Sequence, residues 1–280
     1  MADGWRWDET LFEGTAAHYE RGRLPYAPGY AGTLAAALGL DGRSRLLDVG
    51  CGPGIVTLAT APFVGEAIGL DPDPGMLAEA RRRAERRGVR NVRWVAGRAE
   101  DLPGDLGVFQ AVVFAQSFHW TDRDRVAATV LRMLPPGGAF VHIGEVQGPP
   151  PPVYGEIGEL VRRYLGPVRR AGRGVLVNGT PGREDLVLAR AGFGAAERVV
   201  VPAGETVTRT ADDLVAWTFS RSDAAPHLFG DRLAAFEHDL RALLGEGAFP
   251  ERLPATEIRI WRPMPHTYAH VHTEEADDAQ

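Results

Sequence analysis

Short apolar runs alternate with amphipathic segments between Arg45 and Glu145. The apolar runs are RLLDVG, EAIGLD, VRWVAG, FQAVVFAQ and GAFVHIGE, each bounded by turn residues. Runs that are apolar on both faces are typical of strands buried inside a parallel sheet. Between them, PGMLAEARRRAERRG and DRDRVAATVLRML place apolar residues at helical spacing. The alternation predicts a doubly wound α/β fold, with right-handed crossovers and helices on both faces of the sheet.

The pattern after the fifth apolar run is less regular. Four consecutive prolines, Pro149 to Pro152, favour a stiff extended connection. The next stretch, VYGEIGELVRRYL, is predicted to be helical, and GPVRRAGRGVLVNGTPG is predicted to be a surface loop or mobile lid. We expect one strand in ERVVVPAGETVT, helices in DDLVAWTFSRS and DRLAAFEHDLRALLG, and a last strand in TEIRIWRP.

These patterns divide the chain into four predicted parts. They are an N-terminal helical cap segment at 1–40, a cofactor-binding core at 41–147, a cap insertion with the completion of the sheet at 148–263, and a polar tail at 264–280. The tail contains His266, His270 and His272. Because no cysteine or apolar setting accompanies these histidines, we expect a solvated terminus rather than a metal site.

Composition narrows the possible partners. The chain has 280 residues and a net charge of -6, whereas nucleic-acid binders usually carry an excess of Lys and Arg. The arginine-rich segment from Arg81 to Arg87 is therefore expected to be a solvated helix face, rather than a nucleic-acid surface. Cys51 is the single cysteine, which excludes an intramolecular disulfide and favours a reducing compartment. The N-terminus lacks a signal-peptide pattern, and no apolar run approaches the roughly 18 residues of a membrane span, so we expect a soluble cytoplasmic protein.

The stretch RLLDVGCGPG, from Arg45 to Gly54, has the pattern of a strand that ends in a ligand-binding loop. Its alternating glycines allow tight turns and leave no side chain between the loop and a ligand. A nicotinamide or flavin fingerprint also needs glycine at its sixth position, where this chain has Ile55. Asp48, just before the loop, would repel a pyrophosphate and attract a cationic amino group.

A second acid, Asp71, ends the next predicted strand in GLDPD. A carboxylate in this position can accept hydrogen bonds from two ribose hydroxyls. Together the two acids indicate a ligand with a ribose and an ammonium group but no phosphate. S-adenosylmethionine meets that description.

Five stretches carry a family resemblance: LLDVGCGPG, GLDPDPGMLAEAR, GRAEDLP, FQAVVFAQSFHW and LPPGGAF. They occur in family order across about the first half of the chain, which is a more specific signal than an isolated glycine motif. On these residues the chain resembles a class I S-adenosylmethionine-dependent methyltransferase of the broad small-molecule group. The resemblance implies a Rossmann-like, mostly parallel sheet of seven strands, with an antiparallel strand from the last hairpin.

The resemblance also implies a set of cofactor-binding residues: Tyr19, Arg23, Asp48, Gly50, Cys51, Gly52, Asp71, Pro72, Met76, Ala99, Glu100 and Gln116. The loop should surround the methionine part, Asp71 should hold the ribose, and Met76 and Ala99 should lie near the adenine. Arg98 stands where many relatives have an aspartate.

The N-terminal segment has two interpretations. By the resemblance, Tyr19 and Arg23 reach the methionine carboxylate, to which arginine is suited because its guanidinium binds carboxylates in a bidentate manner. Alternatively, both side chains pack and solvate an amphipathic helix.

The residues that we expect to bind the methyl acceptor are mostly aromatic: Tyr26, Tyr30, Phe118, His119 and Trp217. We expect a small apolar or aromatic metabolite, as in specialised metabolism. Relatives that methylate amino groups of nucleic acids or proteins often carry an Asn/Asp-Pro-Pro-aromatic motif, where this chain has AQSFHW. His119, with an ordinary pKa near 6.5, is either a general base at neutral pH or part of the wall around the adenine.

The expected reaction is an in-line methyl transfer that releases S-adenosylhomocysteine. Two other functions stay open: a nicotinamide-dependent oxidoreductase, which the glycine spacing and Asp48 oppose, and a non-catalytic cofactor-binding module. The sequence does not decide the identity of the acceptor, the methylated atom or the oligomeric state.

Overall fold

The computed structural model describes residues 8–146, 148–171, 174–175 and 183–265. The strands in this part of the chain are β1 (Arg45–Val49), β2 (Glu66–Asp71), β3 (Val92–Ala96), β4 (Ala111–Ala115), β5 (Ala139–Val146), β6 (Arg170–Ala171), β7 (Gly174–Val175), β8 (Glu197–Val201), β9 (Thr206–Arg209), β10 (Phe249–Arg252) and β11 (Ala255–Trp261). The α-helices are α1 (Ala16–Gly22), α2 (Tyr30–Leu38), α3 (Ile55–Thr60), α4 (Pro74–Arg86), α5 (Arg123–Arg132), α6 (Pro152–Leu165), α7 (Glu184–Ala191), α8 (Ala211–Phe219) and α9 (Leu233–Leu244).

Seven strands form the central sheet in the order β3-β2-β1-β4-β5-β11-β8. Strands β1 to β5 are parallel, and β11 runs antiparallel to both β5 and β8. The predicted doubly wound, seven-stranded, mostly parallel Rossmann-like fold is confirmed. Because the order reverses between β2-β1 and β4-β5, the carboxyl ends of β1 and β4 flank a crevice, which is where α/β sheets of this kind bind ligands.

Apolar side chains on alternate strand positions build a core on each face of the sheet. Along β1, Leu46 packs in one core cluster and Leu47 in the other, since successive residues of a strand point to opposite faces. Helices α2 and α3 contribute to the Leu46 side, while α5 and α7 contribute to the Leu47 side. Both faces are thus covered, which explains the continuous apolar runs of the central strands.

A third apolar cluster stands apart from the sheet. Helices α6, α8 and α9 supply its buried side chains, among them Ile157, Phe219 and Phe236. Helix α1 packs against α8 so closely that a Cβ on Gly22 would lie 2.5 Å from the backbone of Ala216. We refer to α6, α8 and α9, the loops that follow these helices, and the β9–β10 pair as the cap. The four-part division of the chain stays a prediction.

The strand predicted over ERVVVPAGETVT is wrong as a single element. The structure divides it into β8, in the central sheet, and β9, which pairs with β10 in a separate two-stranded sheet. Pro202, directly after β8, lacks the N–H that would continue the ladder, so the chain turns there. Strand β10 was not predicted, because FPER is short and contains a proline that demotes a strand pattern.

The predicted surface loop after α6 is described in part. Strands β6 and β7 form a two-residue antiparallel pair there, while 172–173 and 176–182 lie outside the described residues. The same holds for His266, His270 and His272. Among the residues that are described, no group of three or more metal-ligating side chains is assembled, and no helix is long and apolar enough to cross a bilayer.

Candidate active site

A cavity of 1730 Å³ lies at the carboxyl ends of the central strands, between the sheet, α1 and the cap. Typical small-molecule sites have volumes of about 300–1,000 Å³, so this cavity has room for two molecules side by side. We call its lining residues from 48 to 146 the strand-tip wall and those from 148 to 255 the cap wall. Five residues near the N-terminus complete the lining: Phe12, Tyr19, Arg23, Leu24 and Tyr26.

The loop after β1 is shaped by left-handed glycines. Gly50, Gly52 and Gly54 have φ angles of 68°, 53° and 77°, which other residues rarely adopt. A Cβ on Gly50 would lie 2.5 Å from the Cβ of Ser117, whose hydroxyl donates a hydrogen bond to the carbonyl of Val49. The loop is therefore held directly against the end of β4, and its backbone faces the cavity.

Asp71 ends β2 at the edge of this loop. One carboxylate oxygen accepts a hydrogen bond from the Gly52 N–H at 2.8 Å, and the other accepts from the Asp73 N–H at 2.9 Å. Burial raises the pKa of Asp71 to about 6, although both hydrogen bonds favour its charged form. Since a carboxylate has about four acceptor positions, two stay available for hydroxyl donors in the cavity.

Asp48 is completely buried at the end of β1. Its Oδ2 accepts hydrogen bonds from the backbone N–H and the hydroxyl of Thr57, at 3.0 and 2.7 Å. Within the described part of the chain, Oδ1 has no hydrogen-bond partner. Burial raises the pKa of Asp48 to about 7. A buried carboxylate oxygen without a partner is costly, and a cationic donor such as an ammonium group would remove that cost.

The other implied cofactor residues of the core also line the cavity: Cys51, Pro72, Met76, Ala99, Glu100 and Gln116. Glu100 is already engaged, because its Oε1 accepts a hydrogen bond from the Asp122 N–H at 2.7 Å and its Oε2 lies 3.3 Å from Arg98. Arg98 lies on the wall beside it. Arg98 and Glu100 thus form an ion pair at this edge of the cavity.

Gln116 has an unusual backbone conformation. It directly follows β4, and its φ of 55° lies in the left-handed region that non-glycine residues rarely occupy. Its N–H donates a hydrogen bond to the carbonyl of Ile143, which holds this turn in place. Strained backbone of this kind is concentrated at functional sites, and here it presents Gln116 at the cavity.

Tyr19 and Arg23 line the cavity from α1 and the residue that follows it. The Arg23 Nε donates to the hydroxyl of Ser220 at 2.9 Å, and a second nitrogen donates to the Ser220 carbonyl at 3.0 Å. Its guanidinium also lies 5.3 Å from the centre of the Tyr19 ring. The structure therefore brings both residues to the cofactor cavity and ties Arg23 to the cap.

His119 lines the cavity just after β4. Burial lowers its pKa to about 3, with further lowering from His142, Arg169 and Arg123. The expected pKa near 6.5 is therefore wrong for this environment. The imidazole is neutral at neutral pH, but a base with so low a pKa takes up a proton weakly, which disfavours general-base catalysis.

Two of the residues expected to bind the acceptor lie in the core. Phe118 is completely buried and packs against Phe114 and Phe140, with ring centroids 5.1 and 5.0 Å apart. Tyr30 is buried in the core on the Leu46 side of the sheet. Their rings are needed for packing, so the prediction placed them wrongly. Tyr26 and Trp217 do line the cavity.

Sequence reasoning missed most of the cap wall. Tyr154 stacks on Trp217 with ring centroids 4.2 Å apart, and it donates a hydrogen bond to Glu251. Arg169, Arg221 and Asp223 also line this side. These residues come from separate stretches of the second half, and no short motif joins them. The one local signal was the run from Pro149 to Pro152, which forms part of the wall.

Comparison with known proteins agrees with this geometry. Residues 46–138 match the family described as a methyltransferase domain. The chain is 33% identical over 165 residues to an uncharacterized methyltransferase of Mycobacterium tuberculosis, covering 59% of this chain and 64% of that protein. It is 39% identical over 125 residues to a demethylmenaquinone methyltransferase of Thermus thermophilus, covering 43% and 54%.

These matches span less than two thirds of the relatives' length. The fold is shared with the solved structure of the YcgJ protein from Bacillus subtilis, at a TM-score of 0.50 and 20% identity over 84% of this chain and 98% of that one. The matched region contains the glycine loop, Asp48, Asp71 and the end of β4. The match over residues 46–138 and the methyltransferase relatives thus support the resemblance to class I S-adenosylmethionine-dependent methyltransferases.

Proposed function

We propose that the protein transfers a methyl group from S-adenosylmethionine to a small acceptor held under the cap. The observation that carries the proposal is the pair of buried acids, Asp48 and Asp71, which lie beside the glycine loop. Among the residues that the structure describes, Asp48 has a carboxylate oxygen without a hydrogen-bond partner, which suits a cation, and Asp71 has acceptor positions left for ribose hydroxyls. The residues present fit this methyl donor.

The protein's own residues hold and orient the two reactants. The loop from Gly50 to Gly54 and Asp48 would hold the methionine part, Asp71 the ribose, and Met76 and Ala99 the adenine. When bound, S-adenosylmethionine supplies an activated methyl group on a sulfonium. The chain's main task is then alignment and exclusion of water, which can lower a barrier by several kcal/mol.

The end of β4 is where we place the acceptor's reacting atom. Gln116 and His119 line the cavity there, and the low pKa of His119 keeps its imidazole uncharged. A neutral imidazole can orient an acceptor by hydrogen bonding without competing for the proton. We therefore assign His119 to positioning in the wall, and expect the acceptor's proton to leave to solvent or to another base.

Aromatic side chains on the cap and N-terminal side support an acceptor with an apolar or aromatic body. Tyr26, Tyr154 and Trp217 line the cavity, and buried aromatic rings favour contacts with apolar, planar ligands. A relative is named demethylmenaquinone methyltransferase, which supports a small lipophilic acceptor class. The cytoplasmic location expected from the single cysteine stays a prediction.

The proposal is tested by calorimetric titration with S-adenosylmethionine, S-adenosylhomocysteine and NAD in parallel. We expect the two adenosyl ligands to bind and NAD to bind far more weakly. Preferential binding of NAD would support the oxidoreductase and overturn the proposal.

An acceptor screen, followed by release of S-adenosylhomocysteine, separates an enzyme from a binding module. Aromatic and lipophilic acceptors should give turnover above the slow hydrolysis of the donor alone. Tight cofactor binding with no turnover across a broad panel would favour the non-catalytic module instead.

A further inference from the structure

The two walls of the cavity carry opposite charge. The charged residues of the strand-tip wall are four carboxylates and one arginine: Asp48, Asp71, Glu100, Glu145 and Arg98. Those of the cap wall are four arginines and two carboxylates: Arg169, Arg209, Arg221, Arg252, Asp223 and Glu251. An acidic wall suits a cationic methyl donor. The basic wall opposite would repel a cationic donor, so its charge suits an anionic group on a second ligand.

Two of the cap arginines serve the structure of the cap. Arg209 is 4% exposed, and one of its nitrogens donates to the carbonyls of Gly22 and Asp213 while another pairs with Glu251 at 3.1 Å. Arg252 donates to the Gly204 carbonyl at 3.3 Å. The contacts of Arg209 join α1, α8, β9 and β10, and they account for that side chain without a ligand.

The remaining charge is concentrated in a triad formed by Arg169, Arg221 and Asp223. Arg221 binds Asp223 in a bidentate manner at 2.9 and 2.7 Å, and the Arg169 Nε lies 3.6 Å from the same carboxylate. Two guanidinium groups thus lie against one carboxylate at the cavity wall. Asp223 is mostly buried, whereas Arg169 is 42% exposed in its side chain.

The triad lies next to the aromatic part of the wall. The Arg221 guanidinium lies 4.6 Å from the centre of the Trp217 ring, and that ring stacks on Tyr154. A guanidinium fixed by stacking and by a bidentate ion pair loses little conformational freedom when a further anion binds. Arg169 and His119 line the same cavity.

We propose that this triad recognises a carboxylate on the methyl acceptor, whose apolar body lies along the aromatic part of the cap wall. The inference rests on the proposed methyl transfer and adds the substrate class: an aromatic or lipophilic carboxylic acid. A carboxylate carries the charge opposite to that of the two guanidinium groups. A planar carboxylate also matches the fork geometry of guanidinium donors.

The test uses the full chain loaded with S-adenosylhomocysteine and two probes of equal shape, 2-naphthoate and 2-naphthamide, titrated by calorimetry. We expect the acid to bind about tenfold more tightly than the amide, as charge-assisted hydrogen bonds allow. The preference should decrease as salt is added.

Three variants locate the effect. Arg169→Gln should remove most of the acid's advantage. Asp223→Asn, which keeps the shape and raises the net charge of the triad, should increase the advantage by about threefold. Arg232→Gln is the matched control, since Arg232 is an exposed cap arginine beside Tyr164 and away from the cavity lining; it should change nothing.

The inference is overturned if the amide binds as well as the acid, or if Arg169→Gln and Asp223→Asn leave the preference unchanged. Thermal unfolding of each variant establishes that it is folded, and the two variants act in opposite directions, so general destabilisation cannot imitate the expected result. Binding of S-adenosylhomocysteine is measured in the same titrations. Its failure would instead contradict the proposed function.

Discussion

The strand-tip wall and the cap wall of the cavity are built in different ways. The strand-tip wall uses short, contiguous stretches: Asp48 and the glycine loop follow β1 directly, and Asp71 ends the neighbouring β2. The cap wall is assembled from α6, the residues after α6 and α8, and β10, which are separated by tens of residues. The first wall is therefore visible as a motif, while the second exists only in the folded chain.

This difference has a physical origin. Parallel strands of a doubly wound sheet end at one edge, so residues at strand ends converge whatever the rest of the chain does. No comparable rule brings Tyr154, Arg221 and Glu251 together. Their positions depend on how the cap helices pack through Phe219 and Phe236, and on how Arg209 ties the cap to α1.

The largest expected effect on ligand affinity comes from a substitution in the strand-tip wall. Replacing Asp71 by Ala should weaken S-adenosylhomocysteine binding by about a hundredfold, since two charge-assisted hydrogen bonds to ribose hydroxyls are lost. Calorimetry measures the change. Asp105→Ala removes an exposed carboxylate outside the cavity lining and is the control. Equal affinities in the two variants would contradict the role given to Asp71.

The pH dependence of cofactor affinity should come from the same wall. Burial raises the pKa of Asp48 to about 7 and that of Asp71 to about 6 in the free protein. The cofactor's ammonium and hydroxyl donors favour the charged carboxylates, so binding releases protons and affinity rises with pH. We expect a loss of about tenfold from about pH 8 to about pH 6, with a plateau above the higher pKa.

The Asp48→Asn variant tests how much of this pH dependence comes from Asp48. It preserves an oxygen for the hydrogen bonds of Thr57 but cannot ionise, so it should lower the affinity and remove the part of the pH dependence near neutrality. A wild-type affinity that stays constant over this range would argue against a charged pair of acids at the site.

A substitution in the cap wall should leave the affinity for the cofactor nearly unchanged. Trp217→Leu removes the ring that stacks on Tyr154 and supports Arg221. We expect 2-naphthoate to bind about tenfold more weakly, since buried aromatic residues dominate such contacts, and S-adenosylhomocysteine affinity to change less than about twofold.

The control for this variant lies in the same helix. Phe219 is buried in the interior of the cap, so Phe219→Leu should lower the melting temperature while leaving the affinity for the probe nearly unchanged. If both variants weakened the probe in proportion to their loss of stability, Trp217 would have only a structural role.

The smallest effect is expected at His119. With its pKa lowered to about 3 by burial, His119 is a poor base, and His119→Asn should reduce kcat by less than about threefold with the acceptor found in the screen. The pH profile of kcat should be the same in both proteins. A loss of several hundredfold in kcat, with an inflection in the pH profile of the wild type only, would instead support His119 as the general base.

The comparison also shows where prediction from sequence stopped. The strands from β1 to β5 follow the predicted runs closely. Burial on both faces leaves a strong pattern in the inner strands β1, β2 and β4, whereas the edge strand β3 is only partly buried. Phe118 was misplaced, since an aromatic residue after β4 has the same local pattern whether it packs inward or faces the cavity. The raised pKa values of the acids and the lowered pKa of His119 follow from burial, which no local pattern reports.

By itself the sequence determined the doubly wound sheet, the glycine loop and the two acids at the strand ends, because strand periodicity and backbone freedom at glycine are local properties. The tertiary structure alone decided which aromatic rings face the cavity, that Arg23 binds Ser220, and that two arginines share Asp223 on the opposite wall. Those features depend on long-range packing, where residues distant along the chain are brought together by the burial of apolar surface.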